Sequence, residues 1–262
     1  MKKLKIHKLF FCAILLIVVH SCGSDSSSVT ELETIQETET TQEAETTLQI
    51  SLENREFVID NVIACAGSNE DPSITSVFLY PREGVTNINY YHTNSLEVDK
   101  NDYSAYNLGE GELIDVFNGF LLKYEIAPIE EQWVIVTFEE DGVVNISNPI
   151  RIKHLSKPTE YLPENVTVAS NTTMPIFEWE DGRFDDTVIY FQAVLTENND
   201  LLSSTYTFDK NFQYYNLDNV VLNITEVEPP SLEENINYGF TLLAVSEDNW
   251  VNLFSEIVFS VE

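Results

Sequence analysis

The chain has 262 residues, 43% of them hydrophobic and 11% aromatic, which is enough apolar surface for real cores and excludes a chain disordered throughout. Thirteen basic residues stand against 44 acidic ones, a formal charge of −31. Lys2, Lys3, Lys5 and Lys8 lie in a first 21 residues that hold no acid, so loss of that segment removes four bases and takes −31 to −35. A field of that sign repels nucleic acid and anionic headgroups, and it excludes both as partners recognised by charge.

Met1–Lys8 is basic and Leu9–Val19 is an apolar run of about 11 residues, too short to span a bilayer and suited to the core of a signal peptide. It ends in Val18-Val19-His20-Ser21-Cys22-Gly23. A small residue before a cysteine at this place resembles the lipobox of bacterial lipoproteins, with His20 an unusual occupant. The resemblance implies a signal peptide over residues 1–21, cleavage before Cys22 and lipid on Cys22. Membrane contact is then anchoring rather than spanning. Gly23, rather than Asp, resembles the outer-membrane class of Gram-negative lipoproteins, which leaves the periplasmic and cell-surface faces both open.

Residues 22–47 read as the lipidated cysteine and a disordered, Thr- and Glu-rich tether. From Gly23 to Thr47 there are four Ser, seven Thr and seven acids, with no Lys or Arg. Like charges and β-branched Thr oppose a helix, and no buried face is offered to a strand. Cys12 leaves with the signal, so Cys65 is the one thiol left after lipidation and has no partner for an intramolecular disulfide. Its run, Val62-Ile-Ala-Cys-Ala66, suits a buried small hydrophobe better than a nucleophile.

From Leu48 onward, short apolar runs are punctuated by Asn, Asp, Gly and Pro. Phe57–Ala66, Ile74–Tyr80, Asn87–Tyr91, Phe120–Ala127, Trp133–Phe138 and Ile146–Ile152 read as strands, with Ser95–Gly119 a long polar loop. Met174–Trp179, Val188–Thr196, Ser203–Phe208, Val220–Ile224, Tyr238–Val245 and Val251–Val261 follow. This spacing predicts an all-β chain of sandwiches. A polar stretch near His154–Pro163 divides it into domains at 48–157 and 158–262, each the size of one sandwich.

In the second domain, Leu232 lies six residues before Tyr238, and Tyr238, Phe240, Leu242 and Ala244 alternate onto one face. Phe177-Glu-Trp179 lies upstream. These residues resemble the tyrosine corner, F strand and core tryptophan of fibronectin type III domains. The resemblance implies a sandwich over 158–262 in which the Tyr238 hydroxyl bonds backbone a few residues upstream. The first domain resembles an immunoglobulin-like sandwich through the hairpin formed by Trp133–Phe138 and Ile146–Ile152, with Trp133 where a tyrosine corner is expected.

Little in the chain points to catalysis. It has no G-x-S-x-G, H-E-x-x-H, phosphate-binding glycine loop or C-x-x-C pair. Only His92 and His154 lie beyond the signal, and no cofactor is expected. Asp99 with Asp102, and Asp181 with Asp185 and Asp186, offer hard oxygen ligands in loops, as calcium requires, without the spacing of an EF-hand. Tyr206, Phe212, Tyr214 and Tyr215 lie among Asn, Asp and Gln and are candidate ligand-binding aromatics, because sugar rings present apolar faces beside hydroxyls. Tyr90, Tyr91, Tyr103 and Tyr106 form a similar group. The resulting expectation is a membrane-anchored, non-catalytic interaction or adhesion module of the bacterial envelope whose partner is an envelope protein or a glycan. The alternative is a glycan-binding accessory lipoprotein of a polysaccharide-uptake system, which requires those aromatics to face solvent.

Overall fold

The computed structural model describes residues 46–225 and 227–262, which cluster as a single unit. The expected signal peptide, Cys22 and the tether as far as residue 45 lie outside the described residues. Thr46 and Thr47, expected in the tether, belong to the fold. The Thr46 carbonyl accepts the Leu108 N–H at 3.0 Å, and the Thr47 hydroxyl caps α1 (Leu48–Leu52) by accepting the Ile50 N–H at 3.3 Å.

Ten strands follow before the polar stretch: β1 (Phe57–Val62), β2 (Ala64–Ser68), β3 (Thr75–Leu79), β4 (Thr86–His92), β5 (Asn107–Leu108), β6 (Ile114–Val116), β7 (Leu121–Ile126), β8 (Trp133–Glu140), β9 (Val143–Ser147) and β10 (Ile150–Arg151). Sheet I has the order β1-β9-β8-β4-β5, with β10 beside β8, and sheet II has the order β2-β3-β7-β6. Alternation aims Val77 and Leu79 of β3 and Val134, Val136 and Phe138 of β8 into the space between them, where they meet Tyr90 and Tyr124. The expected strand Phe57–Ala66 is broken at Ile63: β1 pairs parallel with β9, then β2 crosses to pair antiparallel with β3. Two short strands and a 3-10 turn at Tyr103–Ala105 lie within the expected long loop. Sheet I is also apolar on its outer face, through Tyr91, Ile135, Val144 and Ile146. Leu48 and Leu52 of α1 cover that face.

The remaining strands are β11 (Glu160–Tyr161), β12 (Val166–Ala169), β13 (Ile176–Trp179), β14 (Thr187–Thr196), β15 (Leu201–Thr207), β16 (Asn211–Gln213), β17 (Val220–Asn223), β18 (Asn237–Ser246) and β19 (Val251–Ser260). Sheet III has the order β11-β19-β18-β14-β15-β17 and sheet IV the order β12-β13-β16. The entry device of the first half recurs, since β11 pairs parallel with β19 before the chain crosses to sheet IV. Phe177 lies flat on Phe240 at 4.0 Å between ring centres and meets the edge of Phe259 at 5.0 Å. Beside them, the Tyr238 hydroxyl accepts the Glu233 N–H at 2.9 Å, which is the expected tyrosine corner. Trp133 takes no such place in the first half: it packs on the outer face of sheet I, with the Lys100 ammonium 5.7 Å from its ring centre.

The two halves are pressed together face to face. Phe191, Ala193, Leu243, Val245 and Val251 cover the side of sheet III turned away from sheet IV, and they meet Cys65 and Leu121 of sheet II. The turn between β18 and β19 goes further and inserts Trp250 into the core between sheets I and II, where it is fully buried. Its indole N–H donates to the Lys157 carbonyl at 2.7 Å, and the Ala66 N–H donates to the Asn249 carbonyl at 3.0 Å. A polar belt surrounds the plug: Lys153 pairs with Asp248 at 2.7 Å, and Asp186 accepts bonds from Lys157 and from the Asn252 amide.

Candidate functional site

The seam between sheets II and III is sealed in the middle and open at both ends. Phe78, Leu121, Phe191 and Leu243 form the wall that separates the two openings. The outer opening is a broad cleft of about 1260 Å³ with Val116, Phe117 and Phe254 on its floor. Glu70, Asp71, Asp115, Glu164 and Glu256 rim it, and Lys123, the cation at this rim, is held by Glu125 at 2.6 Å.

The inner opening is a pocket of about 400 Å³, within the range of small-molecule sites. Ile63, Cys65 and Tyr80 line it from the first half, and Ile189, Tyr206, Leu222 and Val245 from the second. The β1–β2 crossing supplies its mouth, through Asp60, Asn61 and Ile63. Burial alone pushes the Cys65 thiol up to about 12, so it stays protonated and poorly nucleophilic at neutral pH. Burial, then the nearby Cys65, pushes the Tyr206 hydroxyl upward as well, and it stays a neutral donor. Both side chains nevertheless retain partial solvent exposure. An unfilled pocket that opens at this mouth accounts for both observations.

The candidate aromatics do not form one surface. Tyr206 enters the inner pocket with its ring 5.1 Å from that of Phe191. Phe212 and Tyr214 are corrected to core residues, each fully buried. Phe212 stands opposite Phe177 in the β13–β16 pairing, and Tyr214 donates its hydroxyl to the Pro230 carbonyl at 2.7 Å. Tyr215 sits in a turn at φ 71°, is 37% exposed and donates to the Glu228 carboxylate. Tyr90, Tyr91 and Tyr106 are buried, and Tyr90 and Tyr106 donate to the carbonyls of Glu110 and Lys100. Of the group Tyr206, Phe212, Tyr214 and Tyr215, the glycan-capture reading keeps as a solvent-facing ring only the tethered Tyr215, with the exposed Phe208 nearby in sequence.

The acidic loops do not converge either. Asp99 accepts the Asn101 N–H, and Asp102 caps the 3-10 turn through Ser104. Asp181 accepts the Tyr190 hydroxyl and pairs with Lys210 at 2.7 Å. Asp186 belongs to the polar belt, and the neighbouring Asp185 is exposed. Among the described residues, no three His, Cys, Asp or Glu side chains gather as a metal would need. Of these carboxylates, Asp181 and Asp186 are paired with lysines. His154 is buried and His92 half-buried, its Nδ1 lying 3.2 Å from the Thr93 carbonyl.

No protein-family model matches the sequence, and no curated protein matches it significantly. Solved structures do resemble it. The FN1-FN3 domains of chicken CNTN1 are 13% identical, with 79% of this chain and 68% of that one covered and a TM-score of 0.30. The chicken interferon gamma receptor alpha chain is 11% identical over 78% of this chain and 99% of that one, with a TM-score of 0.24. The BSP domain of a biofilm-associated protein is 14% identical over 77% of this chain, which spans 29% of that one, with a TM-score of 0.26. Within this chain the residues on which the expected resemblance rested, Phe177, Trp179 and the Tyr238 corner, lie in sheets III and IV.

Proposed function

We propose that this chain is a non-catalytic interaction module of the bacterial envelope, held at the outer membrane by lipid on Cys22 and spaced from it by the acidic segment that follows. The observation that carries the reading is the Trp250 lock, which welds two sandwiches into one body instead of leaving a hinge around a cleft. Such a body presents loops and sheet edges at fixed positions, as a docking surface requires. The groups that catalysis would draw on are committed elsewhere: the Cys65 thiol is held protonated, and Asp181 and Asp186 are tied to lysines.

The experiment is crosslinking in intact cells with the full-length chain, its Cys22→Ser variant and a form carrying Trp250→Ala. A partner joined to the parent chain, and lost when either the anchor or the lock is removed, is the expected result. A reproducible partner retained by both variants would overturn the claim that anchorage and rigidity serve binding. Turnover of a substrate by the purified chain would overturn its non-catalytic part.

A further inference from the structure

Tyr90, Tyr106, Tyr124, Tyr161 and Tyr214 each donate the hydroxyl to a backbone carbonyl, at 2.7 to 2.9 Å, Tyr190 donates to the Asp181 carboxylate, and the Tyr238 hydroxyl accepts the Glu233 N–H. Tyr206 makes none of these bonds. Its ring is packed against Phe191, yet its hydroxyl has no hydrogen-bond partner among the described residues, and it lies on the wall of the 400 Å³ inner pocket. With no acceptor supplied by the described residues, a hydroxyl on a cavity wall donates to whatever enters the cavity, water or a ligand.

The rest of the lining sets the character of that visitor. Ile63, Cys65, Phe78, Leu121, Ile189 and Leu222 give an apolar surface. The cation at the mouth, Arg82, is already bound to Glu140 through two nitrogens, at 3.0 and 2.7 Å. Asp60 at the same mouth, with a chain charge of −31, opposes anions. Fatty-acid carboxylates and phosphates therefore find no counter-charge here.

We infer that the inner pocket is a binding site for a small, neutral, largely apolar molecule bearing one hydrogen-bond acceptor, which the Tyr206 hydroxyl receives. The site is built by both halves and exists only while Trp250 holds them together. It stands apart from the interaction reading, since either can fail without the other.

The test uses the full chain carrying Cys22→Ser, free of detergent, with Prodan as probe, a neutral naphthalene with a single ketone. Saturable binding with a blue-shifted emission is expected. Tyr206→Phe keeps the ring and removes the donor, and it should weaken Prodan two- to tenfold, the range of one neutral hydrogen bond. Ile63→Trp and Leu222→Trp place an indole in the mouth from positions that are 36% and 42% exposed, where folding tolerates the change. Each should weaken binding at least tenfold, whereas Val258→Trp in the outer cleft should leave it unchanged. Bound Prodan should also slow alkylation of Cys65 by a neutral maleimide, read on the Cys65 peptide by mass spectrometry. The inference is overturned by absence of saturable binding, by full affinity in either folded mouth variant, or by a Cys65 alkylation rate that the probe does not alter.

Discussion

Replacing Trp250 by alanine should do more damage than its place in a turn suggests. The indole is fully buried in the core of the half to which it does not belong by sequence. A buried tryptophan removes about 150–250 Å² from water, which at about 25 cal/mol per Å² is roughly 4–6 kcal/mol. Alanine recovers a small part of this, while loss of the bond to the Lys157 carbonyl adds about 1 kcal/mol. Truncation of buried tryptophans elsewhere costs about 3–5 kcal/mol, so a loss of about 4–5 kcal/mol is expected. That is a large share of a domain's total stability. Trp133 and Trp179 remain as fluorescent reporters, one in each half. In urea the parent chain should unfold in one transition seen by both. The Trp250→Ala variant should lose the stated energy, with Trp133 reporting unfolding at a lower urea concentration than Trp179. A loss under about 1.5 kcal/mol, with the two reporters still coincident, would refute the claim that this side chain locks the halves.

Three further outcomes follow from neighbouring geometry. Tyr238→Phe leaves the Glu233 N–H without its acceptor, and it should cost about 1–2 kcal/mol in urea unfolding while far-ultraviolet circular dichroism stays unchanged. Gly67→Ala puts a methyl carbon 2.9 Å from the Thr159 hydroxyl and 3.0 Å from the Val251 Cβ, so the seam must spread; a loss of about 1–3 kcal/mol is expected by calorimetry. Desolvation pushes the Asp186 carboxyl upward, yet hydrogen bonds from Lys157 and Asn252 outweigh it and hold the group below the usual 3.8. A depressed carboxylate stabilises the fold above its ordinary value and loses that contribution as pH falls below 3.8 through the folded-state value. Asp186→Asn should therefore be less stable than the parent near neutrality, with the difference shrinking in acid titrations followed by fluorescence. A gap that widens toward acid would show the sign to be wrong.

The strands and the tyrosine corner were legible because both write local patterns. Period-two alternation marks the two-faced strands, and the Leu232–Tyr238 spacing marks the corner. Short pieces such as β11, β12 and β16 escaped, since two to four residues paired at a sheet edge carry too little pattern. The helix α1 escaped for a related reason, being one capped turn whose two core residues, Leu48 and Leu52, have no second turn to repeat them.

The seam was legible only in part. Residues 188 to 195, Val-Ile-Tyr-Phe-Gln-Ala-Val-Leu, are apolar on both faces, which is the mark of a strand covered on both sides. That run signals a third layer without naming it. Trp250 gives no such signal, because a tryptophan after Asp248-Asn249 reads as the first residue of a hairpin strand, and its insertion among sheets I and II is a pairing across nearly 200 residues of chain. The aromatic cluster from Tyr206 to Tyr215 misled for the opposite reason: its polar neighbours are turn residues, while the rings of Phe212 and Tyr214 alternate inward.

The most direct test of the whole account is the mass of the mature N-terminal peptide from the full-length chain expressed in a Gram-negative cell. The account predicts a peptide that begins at Cys22 and carries a diacylglyceryl group, recovered from the outer-membrane fraction and lost from it in Cys22→Ser. A mature chain beginning at another residue, or an unmodified Cys22 in the soluble fraction, would contradict it.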